Sequence, residues 1–296
     1  MNIENVKKVA VIGAGNMGHQ VGTLCAMHGY DTYITDTNPE QLKKAHSFVE
    51  EYLPGRVTKG RITQEACDQA FANIHFTDKF EAAVGDADIV IEAVFEQIDL
   101  KKSIFKRLDE CCKPEALLVT NASAIPSSTF KDCVKNPGRI CNMHFFNPAL
   151  VMKCVEVMRG EHTAQETFDT VVEFAKRLDK VPAKIERELH GMIGSRFSSL
   201  LLEEACAILE GGYATAEDID AVAKNALGHP MGPFELVDLT GIDMCYIIPM
   251  DRFRHSGDRK DLPWPIMVKK YFDHEWGRKT GKGFYDYTGK DDKAGK

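Results

Sequence analysis

The residues most able to do chemistry lie in the stretch Asn142-Met143-His144-Phe145-Phe146-Asn147-Pro148, with Glu156 twelve residues after His144. Oxidising an alcohol needs a base for the hydroxyl proton while hydride leaves the same carbon, and histidine titrates near the pH where such a base works. A carboxylate on the other ring nitrogen fixes the tautomer and stabilises the imidazolium. Taken singly, a histidine in an aromatic run is more often a hydrogen-bonded core residue, and a strand glutamate is more often solvated. The pair acquires meaning from the elements that carry it.

A second feature is Gly13-Ala14-Gly15-Asn16-Met17-Gly18, a G-x-G-x-x-G motif between an expected strand, Val9–Ile12, and an expected helix, Asn16–His28. The first glycine permits the tight turn, the second lets the backbone approach a pyrophosphate, and the third lets helix and strand pack closely. The helix start offers unpaired N–H groups to phosphate. Asp36, eighteen residues past Gly18, ends the next strand, Asp31–Thr35. A carboxylate there accepts bonds from both ribose hydroxyls and repels a 2′-phosphate, so the pattern favours NAD over NADP. The alternative is a glycine turn without a ligand and an aspartate in a surface turn.

The positioning elements alternate. Strands are expected at Ile74–Phe76, Ile89–Ile91, Leu117–Thr120, Ile140–Met143 and Lys153–Val157, and helices at Pro39–Lys59 and Asp99–Glu110. This spacing predicts a mostly parallel, doubly wound α/β sheet, with His144 at its carboxyl edge, where such sheets bind ligands. After about residue 185 only helices are expected, at Met192–Gly211, Ala216–Leu227 and Leu262–Phe272. The chain thus divides into an α/β domain, residues 1–185, and an all-α domain, residues 186–296, with a polar tail at Asp291–Lys296.

Composition narrows the function further. A net charge of −7 argues against a nucleic-acid binder. No apolar run reaches the length of a membrane span. The N-terminus lacks a signal-peptide pattern, and nine cysteines without a C-x-x-C pair suit reduced thiols in the cytoplasm. No metal site is assigned.

Over nearly its whole length, from Val9 to Tyr287, the chain resembles the L-3-hydroxyacyl-CoA dehydrogenases of the short bacterial, 3-hydroxybutyryl-CoA dehydrogenase type. The landmarks come in order: GAGNMG, the Asp36 strand end, ADIVIEAVFE, TNASAIP, HFFNP, HPMGPFELVDLTGID and KTGKGFYDY. The resemblance implies a Rossmann-type α/β domain that binds NAD, a helical domain that closes over the acyl group and forms a homodimer, and a site between the two. It implies His144 as general base, Glu156 as its orienting partner and Ser123 as the group that hydrogen-bonds the reacting oxygen. Gly13, Gly15, Asn16, Met17, Gly18, Asp36, Glu92, Glu96, Lys101, Asn121, Ser123, Asn147 and Lys279 fall on its cofactor side. For coenzyme A, Lys59 matches a family lysine, and Arg56 and Arg61 add cations beside it.

Two departures bear on the substrate. Where the family has G-F-x-x-N-R, this chain reads Gly191-Met192-Ile193-Gly194-Ser195-Arg196, so Ser195 replaces an asparagine close to the substrate. A hydrogen bond lost there costs about 1–3 kcal/mol, roughly a ten- to hundredfold loss of rate. Ala122-Ser123-Ala124 replaces Thr-Ser-Ser, which removes two hydroxyls. A dehydrogenase of a free hydroxy acid or other non-CoA alcohol is therefore the first alternative. A non-catalytic NAD-binding protein, as some lens crystallins of this fold are, is the second. The 3-hydroxyisobutyrate dehydrogenase group uses a lysine on the long interdomain helix, and Gly191–Leu202 contains none.

Overall fold

The central strands are buried on both faces, the pattern of a sheet covered by helices on each side. The computed structural model describes residues 2–189 and 191–289; the tail expected at Asp291–Lys296 lies outside them. The chain begins β1 (Lys8–Ile12), α1 (Asn16–Met27), β2 (Asp31–Thr35), α2 (Pro39–Thr58), α3 (Gln64–Ala72) and β3 (Ile74–Thr77). It continues α4 (Phe80–Val84), β4 (Ile89–Glu92), α5 (Ile98–Cys111), β5 (Leu117–Thr120), β6 (Ile140–Phe145), β7 (Cys154–Met158), α6 (Gln165–Arg177) and β8 (Val181–Ile185). A 3-10 helix, Ser127–Cys133, lies between β5 and β6.

The strands form one sheet in the order β3-β2-β1-β4-β5-β6-β7-β8. All neighbours are parallel except β6 and β7. Alternate side chains feed two apolar layers. Val9 and Val11 pack with Val21 and Leu24 of α1 and with Phe168 and Phe174 of α6. Ala10 and Ile12 pack on the other face with Phe105 and Leu108 of α5 and with Phe130. Register levels the strand ends: Ile12 pairs with Thr35 and Glu92, Glu92 with Thr120, and Thr120 with Asn142. The loops that follow these residues therefore leave from one edge.

Three helices of this region, α3, α4 and α6, were not expected. The stretch Val181–Ile185, at the end of the expected α/β domain and not expected as a strand, is the eighth strand. As the sheet's last strand it is only partly buried and carries Pro182 and Lys184, so it lacks the apolar signature of an inner strand.

One compact unit extends to Ile193, and a second begins at Gly194. The second contains α7 (Ile193–Glu210), α8 (Ala216–Asn225), α9 (Pro233–Thr240), α10 (Met244–Ser256) and α11 (Pro265–Phe272). Its core is built from Ala205, Cys206, Phe234, Val237, Ile242 and Met267. Two buried carboxylates organise it. Asp220 accepts the Phe234 and Glu235 N–H groups at the start of α9, and the Tyr285 hydroxyl. Asp238 accepts the Phe284 and Tyr285 N–H groups at 2.9 Å and the Tyr287 hydroxyl at 3.1 Å. Burial and the Asp220 carboxylate push the Tyr285 phenol upward, so it stays a donor. A Cβ on Gly283 would collide with the Asp238 carboxylate.

Asn at position 238 cannot accept all three donors, so one buried donor is stranded. D238N is expected to destabilise the second unit by about 1–3 kcal/mol, and G283A to do so as well, both read by urea unfolding. Wild-type stability in both variants would contradict this account.

Candidate active site

β6 ends in His144 and Phe145, and the antiparallel turn-back sets Glu156 of β7 directly opposite His144 in the ladder. Paired residues in adjacent strands share a face, so the two side chains meet. Nδ1 of His144 lies 3.0 Å from Oε2 of Glu156. Both are enclosed, with side chains 11% and 2% exposed. The Phe146 ring stands edge-on to the imidazole at 5.0 Å. This arrangement commits Nδ1 to the carboxylate and turns Nε2 away from it.

The glycine loop leaves β1 on the same sheet edge. Gly15 is the N-cap of α1, and its extended backbone opens the helix. Asp36, after β2, accepts the Ala14 N–H through Oδ2 and the Asn38 N–H through Oδ1, both at 2.8 Å. Asn16 donates to Asn147 Oδ1 at 3.1 Å, which ties the glycine loop to the loop after His144. Gln20 steadies Asn16 from one turn further on. Met17 is half-buried against the core beneath the loop.

Between these groups lies a buried polar network. Lys101 Nζ donates to both oxygens of Glu92, at 2.7 and 2.9 Å, and the two residues are almost wholly buried. Glu92 also accepts from Thr120 Oγ1 at 2.7 Å and from the Val94 N–H at 2.8 Å. Glu96 lies 3.2 Å from the same ammonium and accepts the Ala124 N–H at 2.9 Å. Glu92 and Lys101 were expected on the cofactor side. With this burial their side chains face each other, and their place is beneath the loops rather than at an open surface.

Asn121 is likewise tied into the edge. It donates its N–H to the Glu92 carbonyl, and its Oδ1 accepts the Phe145 N–H at 2.9 Å. Ser123, half-buried, stands two residues further along this loop. Asn142, two residues before His144 and on the same face of β6, is fully buried. It accepts the Ser127 N–H and donates to the Ile125 carbonyl, which fixes the far end of the Ser123 loop. Sequence reasoning passed over Asn142, although a polar residue alternating with His144 inside an apolar strand is the signal that would have found it.

The structure thus brings the glycine loop, Asp36, the Glu92 network, Asn121, Ser123, His144, Glu156 and Asn147 to one edge of one sheet. Arg56, Lys59 and Arg61 gather separately at the carboxyl end of α2. Arg56 lies over the Tyr52 ring, while Lys59 and Arg61 are exposed. Ser195, in the first turn of α7, and Lys279, ion-paired with Asp243 beside Trp276, belong to the second unit.

Comparison with known proteins agrees with this architecture. Residues 8–189 match the family model for the 3-hydroxyacyl-CoA dehydrogenase NAD binding domain, and residues 191–287 match that for the C-terminal domain. The 3-hydroxybutyryl-CoA dehydrogenase of Clostridioides difficile is 36% identical over 281 residues, covering 95% of this chain and 99% of that one. The crystal structure of an Escherichia coli 3-hydroxybutyryl-CoA dehydrogenase aligns with a TM-score of 0.89 at 35% identity, over 97% of this chain. This chain spans 61% of the length of that one. A diketoreductase acting on dicarbonyl compounds aligns with a TM-score of 0.84 at 30% identity, over 95% of this chain and 99% of that one. The chain belongs to the 3-hydroxyacyl-CoA dehydrogenase family and is an NAD-dependent oxidoreductase.

Proposed function

We propose that the protein interconverts an L-3-hydroxyacyl-CoA and the 3-oxoacyl-CoA, with His144 as general base and Glu156 as its orienting partner. The observation that carries this reading is the enclosed His144–Glu156 pair on the sheet edge. The carboxylate holds the proton on Nδ1, so Nε2 presents a lone pair to the substrate hydroxyl. As that proton moves to Nε2, the imidazolium forms against a fixed negative charge. Ser123 is proposed to hold the reacting oxygen by a hydrogen bond, and Ser195 to assist from the second unit. NAD, when bound, supplies the hydride acceptor.

The glycine loop fits that cofactor. A Cβ at Gly18 would run into the Gly13 carbonyl, and one at Gly13, where φ is +100°, would lie 2.7 Å from the Ala93 carbonyl oxygen. These two positions are closed by the protein itself. At Gly15 an added Cβ would meet nothing within 4 Å. That space, above the N–H groups of α1, suits a pyrophosphate. Asp36, held by two N–H bonds, keeps free lone pairs for the ribose hydroxyls. Glu96, Asn121, Asn147 and Lys279 are proposed to complete the cofactor side, with Glu92 and Lys101 supporting it.

Arg56, Lys59 and Arg61 are proposed to meet the phosphates of coenzyme A. A second reading, a non-CoA 3-hydroxy substrate, is favoured by Ser195 and by the hydroxyl-free Ala122 and Ala124. The similarity to a diketoreductase adds to it. A homodimer in the cytoplasm is proposed as well. Phe197 and Leu200 of α7, one turn apart, are 68% and 63% exposed, an apolar stripe suited to a second copy.

G15A is expected to keep wild-type thermal stability and to bind NADH roughly tenfold more weakly, about 1.4 kcal/mol. G18A is expected to lose fold and binding together. Fluorescence titration with NADH checks both, and unimpaired binding by G15A would remove the pyrophosphate from this loop. H144A is expected to reduce acetoacetyl-CoA about 10²–10⁴-fold more slowly while still binding NADH. Unchanged turnover would sink the base assignment. If wild-type protein reduces a free 3-oxo acid but not acetoacetyl-CoA, the CoA reading gives way to the second one. Sedimentation equilibrium is expected to give twice the chain mass, and a lower mass for L200E; a monomeric wild type would overturn the dimer.

A further inference from the structure

We propose that Glu188 is a positioning residue for Ser123, acting through a two-point clamp on the loop that carries it. The inference rests on the proposed role of Ser123 at the reacting oxygen.

Most bonds to this loop come from the sheet side. Asn121 is tied to Glu92 and Phe145, Ala122 to Thr120, Ala124 to Glu96, and Ile125 and Ser127 to Asn142. Two further ties come from the segment that follows β8 and leads into α7. Oε1 of Glu188 accepts both the Ser127 hydroxyl and the Ser128 N–H, each at 2.8 Å. Four residues later, the Met192 N–H donates to the Ser123 carbonyl at 3.2 Å. Ser123 and Ser127 are also four residues apart, so the segment grips the loop at both ends.

Each anchor is backed by packing. Ser127 is fully buried, and His162 Nε2 stands 3.4 Å from its hydroxyl oxygen. The single hydroxyl proton goes to Glu188, which leaves the oxygen to accept from the imidazole. Burial lowers the His162 pKa and keeps that ring a neutral donor, with the Glu188 charge opposing. A Cβ on Gly160 would press into the His162 ring and lie 2.9 Å from Glu188 Oε1, so the backbone closes over the pair. Met192 is buried with Met158 and Ile185. A carboxylate shared between a buried hydroxyl and a backbone N–H has only one favourable place, and this fixes the segment in register with the loop. Without it, Met192 N–H and the Ser123 carbonyl can drift. A hydroxyl that must meet a developing oxyanion tolerates little displacement.

The test is a double-mutant cycle with NADH and acetoacetyl-CoA: wild type, E188A, S123A and E188A/S123A, with E188Q as the conservative variant. E188A is expected to lower kcat roughly ten- to a hundredfold with NADH affinity unchanged. E188Q keeps an acceptor oxygen for both donors and is expected to recover most of kcat. In the S123A background, E188A is expected to cost nothing further, because its effect runs through Ser123. An equal loss with and without Ser123 overturns the proposal. So does an unimpaired E188A beside an impaired S123A, which leaves the Ser123 reading standing. An unimpaired S123A removes that reading and this proposal with it. Should E188A fail to fold, S127A removes one of the two donors and takes its place in the same cycle.

Discussion

The site depends on one reversal of direction in an otherwise parallel run of strands. If β7 ran parallel to β6, its register would be set by a distant crossover, and no short connection would join the two. The antiparallel pairing makes position 156 the ladder partner of position 144. A slip of one residue would send Glu156 to the opposite face. Both inner faces are apolar and buried, so such a slip is heavily penalised. The His144–Glu156 pairing is thus locked by the same packing that stabilises the sheet.

The edge loops are held differently, by buried charge. Lys101 and Glu92 lose hydration on burial, and their mutual attraction repays this only because the geometry is close and other donors fill the carboxylate. Thr120 and the Val94 N–H are those donors, and Glu96 pairs with the Lys101 ammonium from the other side. Such a network is a weak source of net stability but a strong source of definition. Removing one member would leave an uncompensated charge, which costs several times what the pair contributes. It holds residues 92–97 against the glycine loop on one side and against the Ser123 loop on the other. Both must stay put while ligands enter and leave.

The fold class and the groups at the sheet edge were more legible in the sequence than the full set of elements was. The glycine loop, Asp36 and the His144–Glu156 spacing carry local signals, because each sits within a few residues of a strand end. The helix α6 escaped notice although Phe168, Val171, Val172 and Ala175 form a clear apolar face. The strand β8 was hidden by its edge position. Glu188 had no signal at all, since its partners Ser127 and Ser128 lie some sixty residues away and only the fold joins them. The burial of Lys101 had no local signal either. A lysine on a helix surface is solvated unless a buried carboxylate waits beneath it, and that depends on tertiary packing.

Two of the family landmarks, HPMGPFELVDLTGID and KTGKGFYDY, surround Asp220 and Asp238. Gly232 and Gly283 leave room for those carboxylates, Phe234, Glu235, Phe284 and Tyr285 supply N–H donors, and Tyr285 and Tyr287 supply hydroxyls. Burying two charges demands that each find every partner. These segments therefore serve the fold of the second unit first, with Lys279 the residue among them proposed for binding. Substrate choice has to reside where packing leaves freedom. Ser195 is half-buried, and the Ala124, Lys59 and Arg61 side chains are exposed. Side chains at those positions can change with little effect on the core, and Ser195 and Ala124 are among them.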